Sequence, residues 1–479
     1  MQKKFITNLA LLLFLNLLIK PFWVLGIDRA VQNAVGAERY GEYFALFNFS
    51  FLLNIILDFG ITNFNNRNIA QNNHMLDKHL SSISVLKMLL GVIYLVVTIV
   101  CGLIIGYDFR LMKLLLVLGL NQFLISFILY LRSNLSGLHL FTTDSFISVL
   151  DRTLMIAICG VLLWGHFIDV HFDVMWFVYS QTVAYLLTAL VTFIILFRKA
   201  SLFKFKWNTP FFLMILKRSF PFAVLVLLMT FYNRIDTVML ERLLPDGATQ
   251  AGIYASSYRL LDSANMIAFL FAGLLLPIFS KMIKMKDSVE ALVKLSFSLL
   301  IAPAVIIAVG SFFYRHELMA LLYHEHIEES AKVFGLIMFC FVAISTTYIF
   351  GTLLTANGNL KELNIMAAAG MSVNIIFNFI LIPHYKAFGS AVSSVATQGL
   401  AALIQVVLVQ RIFRFRVNVR YLVMLVLYVS GIILIYFSAK QLNYPWTGSF
   451  FLAAFLSLAF AFITRLISVH SILRIIRQE

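Results

Sequence analysis

The stretch Gly36–Tyr43, GAERYGEY, has a near copy at Gly247–Tyr254, GATQAGIY, 211 residues further along the chain. Gly36, Ala37, Gly41 and Tyr43 recur as Gly247, Ala248, Gly252 and Tyr254. Each copy closes a polar loop and opens an apolar run. Six predicted helices separate the copies, an even number, so both enter a membrane in the same sense. That pattern predicts two parallel six-helix repeats related by an axis along the membrane normal. The glycines are expected to permit a tight turn, and Tyr43 and Tyr254 to anchor at the membrane–water interface.

The surrounding sequence demands a membrane. Of 479 residues, 61% are hydrophobic and 12% charged, and Phe alone contributes 47 against 37 Lys and Arg together. Soluble domains carry roughly 25% charged residues. Apolar runs of about 20 residues, the length that crosses the hydrocarbon as a helix, recur from end to end. About fourteen candidates run from 6–27 to 447–466. Alternating polar and apolar strand patterns are absent, which excludes a membrane β-barrel. The expected fold is therefore all-α: an N-lobe at 1–206, a C-lobe at 207–412, and two appended helices within 413–479.

The net charge of +15 falls on alternate loops, so it reads as the positive-inside rule and not as a nucleic-acid footprint. Lys3 and Lys4, Arg67 and Lys78, the group from Arg198 to Arg218, Lys281 to Lys286, Arg411 to Arg420, and Arg474 and Arg477 share one side. The opposite loops are sparse in cations. Both termini are accordingly expected in the cytoplasm. The N-terminal run has no small-residue cleavage site after it and reads as an uncleaved first helix. Cys101, Cys159 and Cys340 stand singly in apolar runs and read as small buried hydrophobes.

Ionisable groups inside spans cost roughly 2.5–3.5 kcal/mol each on insertion scales, so their presence points to function. Lys20, Arg152, Arg234 and Arg259 are the cations expected to form a cationic site for an anionic group. Asp58, Asp236 and Asp262 are the candidate ion-coupling carboxylates. Arg259 and Asp262 share a helix face by their spacing. Asp151, Arg152 and Arg132 lie near the cytoplasmic ends, where snorkelling to headgroups competes with a binding role. The amides Asn54, Asn121, Gln122, Asn374, Asn378 and Gln398 read first as ties between helices. The histidine-rich loops HFIDVHFD (166–173) and YHEHIEES (323–330) lack the helical zinc spacing, and no phosphate-cradling glycine loop occurs. No metal or cofactor is expected.

Three longer stretches resemble one family. RYGEYFALFNFSFLLNIILDFGITNFNNRNIA, the region from FYNRIDTVMLERLL to LLLPIFSK, and LTANGNLKELNIMAAAGMSVNIIFNFILIPHYKAFGSAVSSVATQ are similar to bacterial polysaccharide or O-antigen flippases (Wzx-type). These belong to the multidrug/oligosaccharidyl-lipid/polysaccharide (MOP) exporter superfamily. The resemblance covers most of residues 1–412. It implies alternating access about a central cationic cavity and transport of undecaprenyl-pyrophosphate-linked oligosaccharides across the bacterial inner membrane. The expected partners are that lipid-linked substrate, the bilayer, a polysaccharide polymerase and a chain-length regulator, with no nucleic acid. A drug exporter of the same superfamily and a membrane enzyme of polysaccharide synthesis are the rival readings. The enzyme is disfavoured because no large loop or acidic catalytic pair is evident.

Overall fold

The computed structural model describes residues 11, 14–62, 65–66, 69, 76–138, 140–165, 172–199, 207–415, 418–442, 444–464 and 466. Among them there are helices and no strands. Helical residues 14–22 lead into a π-helical stretch, Trp23–Asp28. There follow α1 (Arg29–Leu52), α2 (Ile55–Asp58), α3 (Leu76–Ile105), α4 (Phe109–Gly137), α5 (Phe141–Trp164), α6 (Val174–Phe197) and α7 (Thr209–Leu243). The chain continues with α8 (Gly247–Met285), α9 (Glu290–Phe313), α10 (Arg315–Leu322), α11 (Ile327–Ile337), α12 (Phe339–Ala356), α13 (Leu360–Phe413), α14 (Val419–Lys440) and α15 (Trp446–Ile463). Eleven described helices are long and apolar enough to span a bilayer.

The chain forms two compact units, Met1–Gly252 and Ile253–Glu479. In the first, α1 packs on α4, α6 and α7, and α4 packs on α3, α5 and α6. In the second, α12 packs on α9 and α13, while α14 and α15 pair with each other and lean on α9. Tyr428 and Tyr436 of α14 and Tyr314 at the foot of α10 are almost wholly buried there. The Tyr428 hydroxyl donates to the Ala302 carbonyl at 3.1 Å. This is how an apolar appendage gains a polar tie without exposing it to lipid.

The repeated motif supplies a close helix approach in the first unit. Gly36 breaks α1 with φ 81° and ψ 165°, a backbone region essentially closed to residues with a side chain. Gly247 stands at the turn from α7 into α8, where a Cβ would lie 2.3 Å from the Glu241 carbonyl oxygen. The second glycine of each copy does something else. A Cβ on Gly41 would lie 1.8 Å from the Ala248 oxygen, and one on Gly252 would lie 1.9 Å from the Ala37 oxygen. Ala37-x-x-x-Gly41 and Ala248-x-x-x-Gly252 thus cross reciprocally, backbone on backbone, as small residues four apart allow. Gln32 adds a bond from Nε2 to the Gly252 carbonyl at 3.1 Å.

The tyrosines correct the expectation of interfacial anchors. Tyr43 and Tyr254 are 1% and 0% exposed. Gln181 Nε2 donates to the Tyr43 hydroxyl at 3.0 Å, and the Tyr254 hydroxyl bonds Ser394 at 3.0 Å. A buried phenol needs such a partner. Both rings are bundle glue.

The 54-residue α13 is bent at Lys386, whose backbone lies at φ 52° and ψ −134° three residues after Pro383. Its two limbs fold together. Asn378 Nδ2 donates to Asn374 Oδ1 at 3.1 Å, Ser390 donates to Asn378 Oδ1 at 2.9 Å, and Ser393 donates to the Asn374 carbonyl at 3.1 Å. In the first unit, Asn54 donates to Gln122 at 3.0 Å, and Asn121 is bonded by Thr182 at 2.7 Å. These amides tie helices together.

Candidate functional site

The first unit gathers Lys20 and Arg152. Lys20 precedes Pro21 at the end of the opening helical segment. A proline lacks the N–H that continues an α-helix, and the π-helical stretch Trp23–Asp28 follows at once. Wider π turns of this kind recur at functional sites. Its Trp23 ring stacks on Phe177 at 5.7 Å between centroids. The Arg152 guanidinium of α5 sits over Trp23 at 5.5 Å and over Tyr185 at 5.9 Å. It donates to the Tyr185 hydroxyl at 3.2 Å and approaches Asp151 at 3.8 Å. Lys20 lies within electrostatic reach of Arg152, Asp151 and Arg132. Arg132 itself is forked onto Asp144 at 2.7 and 3.3 Å, so that carboxylate is engaged. The cluster therefore retains more positive than negative charge.

That arrangement has a chemical consequence. Ring faces hold a guanidinium by its flat side, which fixes the group; Nη1 is spent on Tyr185 and Met155, and Nη2 is the edge donor left for an incoming acceptor. A planar fork of N–H groups suits phosphate oxygens, and a second ammonium nearby adds to the attraction. The buried carboxylate Asp28, 2% exposed, belongs to the same end of the chain and accepts from the Tyr40 hydroxyl at 2.7 Å.

Asp58 has a different setting. It closes α2, just before Phe59 (φ 43°) and Gly60 (φ 78°), where the helix ends in left-handed conformation. Its carboxylate meets Lys87 Nζ of α3 at 2.5 Å and also accepts from Thr62. Lys87 is 1% exposed and donates further to the Leu57 carbonyl at 2.9 Å and to Ser126 at 3.0 Å. All three ammonium donors are thereby used. Lys87 has no place in the sequence reading of span cations. Its signal was a lone lysine five residues into the apolar run predicted at 82–106, close enough to the end to pass as a boundary charge.

The remaining candidates are spread over both units. In the first, Arg234 of α7 lies over the Phe51 ring of α1 at 5.4 Å, and Asp236 is 1% exposed. The neighbouring Thr237 accepts from Asn48 of α1 at 3.1 Å. In the second, Arg259 and Asp262 stand three residues apart on α8, both partly buried. Residues 166–171 of the first histidine loop, and Lys3, Lys4, Arg67, Lys204, Lys206, Arg416, Arg474 and Arg477, lie outside the described residues. In the second histidine loop, Glu328 pairs with His316 of α10 at 3.0 Å, and His326 pairs with Glu329 at 3.5 Å.

The helical fold has solved counterparts. The fold is similar to the lipid II flippase MurJ in an inward closed conformation, at 15% identity over 92% of this chain and 96% of that one, with a TM-score of 0.69. It is also similar to an inward-facing MATE family multidrug transporter at 14% identity over 83% and 96%, TM-score 0.63. A third counterpart, at 15% identity over 84% and 93% and TM-score 0.58, is a Pyrococcus furiosus MOP superfamily transporter described as having a binding pocket of reverse polarity. The fold is thus that of the MOP transporters. The comparison with curated proteins finds no match. The chain belongs to the polysaccharide biosynthesis protein family, whose pattern it matches over residues 25–283.

Proposed function

We propose that the protein is a flippase that carries undecaprenyl-pyrophosphate-linked oligosaccharide units of a surface polysaccharide, such as an O-antigen or capsule, from the inner to the outer leaflet of the bacterial inner membrane. The observation that carries this reading is the Lys20–Arg152 cluster, where a guanidinium is held by the Trp23 and Tyr185 rings. A pyrophosphate is the part of such a substrate that a fixed ammonium and guanidinium recognise. Arg234 and Arg259 extend the cationic set, with Asp236 and Asp262 as coupling candidates. The family assignment to polysaccharide biosynthesis supports the cargo class, and the MOP fold supports transport by alternating access. In this reading fourteen spans form lobes 1–206 and 207–412 plus an appendage at 413–479, with both termini cytoplasmic. An inside-negative potential favours outward movement of anionic charge by roughly 2.3 kcal/mol per charge per 100 mV. No covalent step is required. A polymerase and a chain-length regulator are the proposed neighbours of the product.

The test is a vesicle assay with a fluorescently labelled lipid-linked oligosaccharide, read by its accessibility to an external quencher. Wild-type protein is expected to equilibrate the label between leaflets without lengthening the sugar. The Arg152→Ala, Arg234→Ala and Arg259→Ala variants should insert normally and lose translocation. Unchanged translocation in all three would overturn the cationic assignment. Chain growth would instead point to an enzyme, and movement of cationic drugs alone to a drug exporter.

A further inference from the structure

A second cationic feature lies in the second unit, at the junction where α8 passes into α9 and α13 passes toward α14. A cleft there is lined by Ile283, Lys286, Asp287, Glu290, Phe413 and Arg414. The three helices whose ends line it, α8, α9 and α13, are all long and apolar enough to cross a bilayer, so their ends place the cleft at headgroup level.

Both cations in the cleft occupy positions that normally belong to glycine. Helix α8 ends in a Schellman arrangement: Lys286 N–H donates to the Ile283 carbonyl at 3.1 Å and Asp287 N–H to the Met282 carbonyl at 2.9 Å. Helix α13 ends in the simpler left-handed cap, with Arg414 N–H donating to the Gln410 carbonyl at 3.0 Å. Lys286 has φ 61° and Arg414 φ 51°. Glycine takes this conformation without a Cβ penalty and is the usual residue there. Beside Arg414, Gln410 Nε2 donates to the Phe415 carbonyl at 2.6 Å, and at the start of α14 the Asn418 side chain accepts from Tyr421 N–H at 3.0 Å. Two strained caps that each carry a cation to one cleft need a reason beyond chain reversal.

The surroundings supply it. Lys281, Lys284, Lys286, Arg411, Arg414 and Arg420 are all exposed. Among the described residues none of these six forms a salt bridge. Two carboxylates, Asp287 and Glu290, also line the cleft. The apolar side chains Ile283 and Phe413 complete the lining. A small free anion has no use for that apolar wall, whereas a phospholipid brings a phosphate and the root of an acyl chain together. We propose that this cleft is a binding site for the headgroup of an anionic phospholipid of the adjoining leaflet, with Lys286 and Arg414 on the phosphate. Basic pockets between helices at a membrane face recognise such headgroups. The site is separate from the Lys20–Arg152 cluster and does not depend on what the protein transports.

The test exploits the caps themselves. Lys286→Gly and Arg414→Gly relieve the left-handed backbone, so the double variant is expected to fold at least as well as the wild type. Purified protein in uncharged detergent is titrated with dihexanoyl-phosphatidylglycerol, dihexanoyl-phosphatidylcholine or inorganic phosphate, and binding is read from the ligand-dependent rise in Tm. The expected result is that the wild type binds the anionic lipid at least about tenfold more tightly than the double variant does, and more tightly than it binds the choline lipid. Equal affinity in the wild type and the double variant would overturn the site. Equal affinity for the choline lipid would overturn the anionic headgroup, and inorganic phosphate binding as tightly as the anionic lipid would overturn the lipid.

Discussion

Lys87 and Lys20 are both lysines within apolar helices of the first unit, yet their surroundings differ in kind. Lys87 is sealed against Asp58, the Leu57 carbonyl and Ser126, so charge and every donor are compensated locally. Lys20 shares its neighbourhood with a second cation, Arg152, which is held on Trp23 and Tyr185. Counting charges inside spans therefore does not separate architecture from recognition. The separation lies in whether each charge already has its counter-ion. A compensated pair can hold a broken helix, as at Phe59 and Gly60. A cluster that keeps excess positive charge, as Lys20, Arg152 and Arg132 do against Asp151 and Asp144, remains available to a ligand that brings the missing charge.

The largest effect should come from breaking the compensated pair. Lys87→Met leaves the Asp58 carboxylate without its partner among apolar helices, and loss of about 3–5 kcal/mol of stability is expected. Thermal unfolding of the purified protein measures it, and Asp58→Asn combined with Lys87→Met should recover most of the loss. A neutral single variant would show that the pair does not hold the helix break.

Gly41→Ala and Gly252→Ala probe a region with no charge at all. Each adds a Cβ where a backbone oxygen already stands, and overpacking of this kind costs about 1–3 kcal/mol. The reciprocal contact predicts similar losses from either side. A loss from one glycine only would mean that the crossing is not reciprocal in solution.

The cluster with excess positive charge should respond least in stability. Arg152→Lys keeps the charge but loses the flat stacking on two rings, worth about 0.5–2 kcal/mol at such a site, while translocation in the vesicle assay falls steeply. A large loss of stability with translocation intact would reverse the contrast and make Arg152 structural.

The sequence made several of these elements legible for plain reasons. Apolar run length depends only on bilayer thickness, so the spans could be read directly. Gly36 and Gly247 were readable as turn glycines because a repeated Gly before an apolar run has few other uses. The amides Asn54, Asn121, Asn374 and Asn378 read as helix ties because a polar group in a span needs a partner. Other features were not legible. Tyr43 and Tyr254 stand where an interfacial residue belongs, and only their bonds to Gln181 and Ser394 show them buried. Lys87 passed for a boundary charge because its counter-ion is 29 residues away.

Composition, run length and loop charge by themselves determined a multi-helix membrane protein with a repeated motif, since these depend on the solvent and are local to the chain. Tertiary structure alone decided which charges cancel and which glycines touch. Asp58 and Lys87, Arg152 and Trp23, and Gly41 and Ala248 meet only after helices distant in sequence have packed. The energy of a charge in a membrane is set by those neighbours.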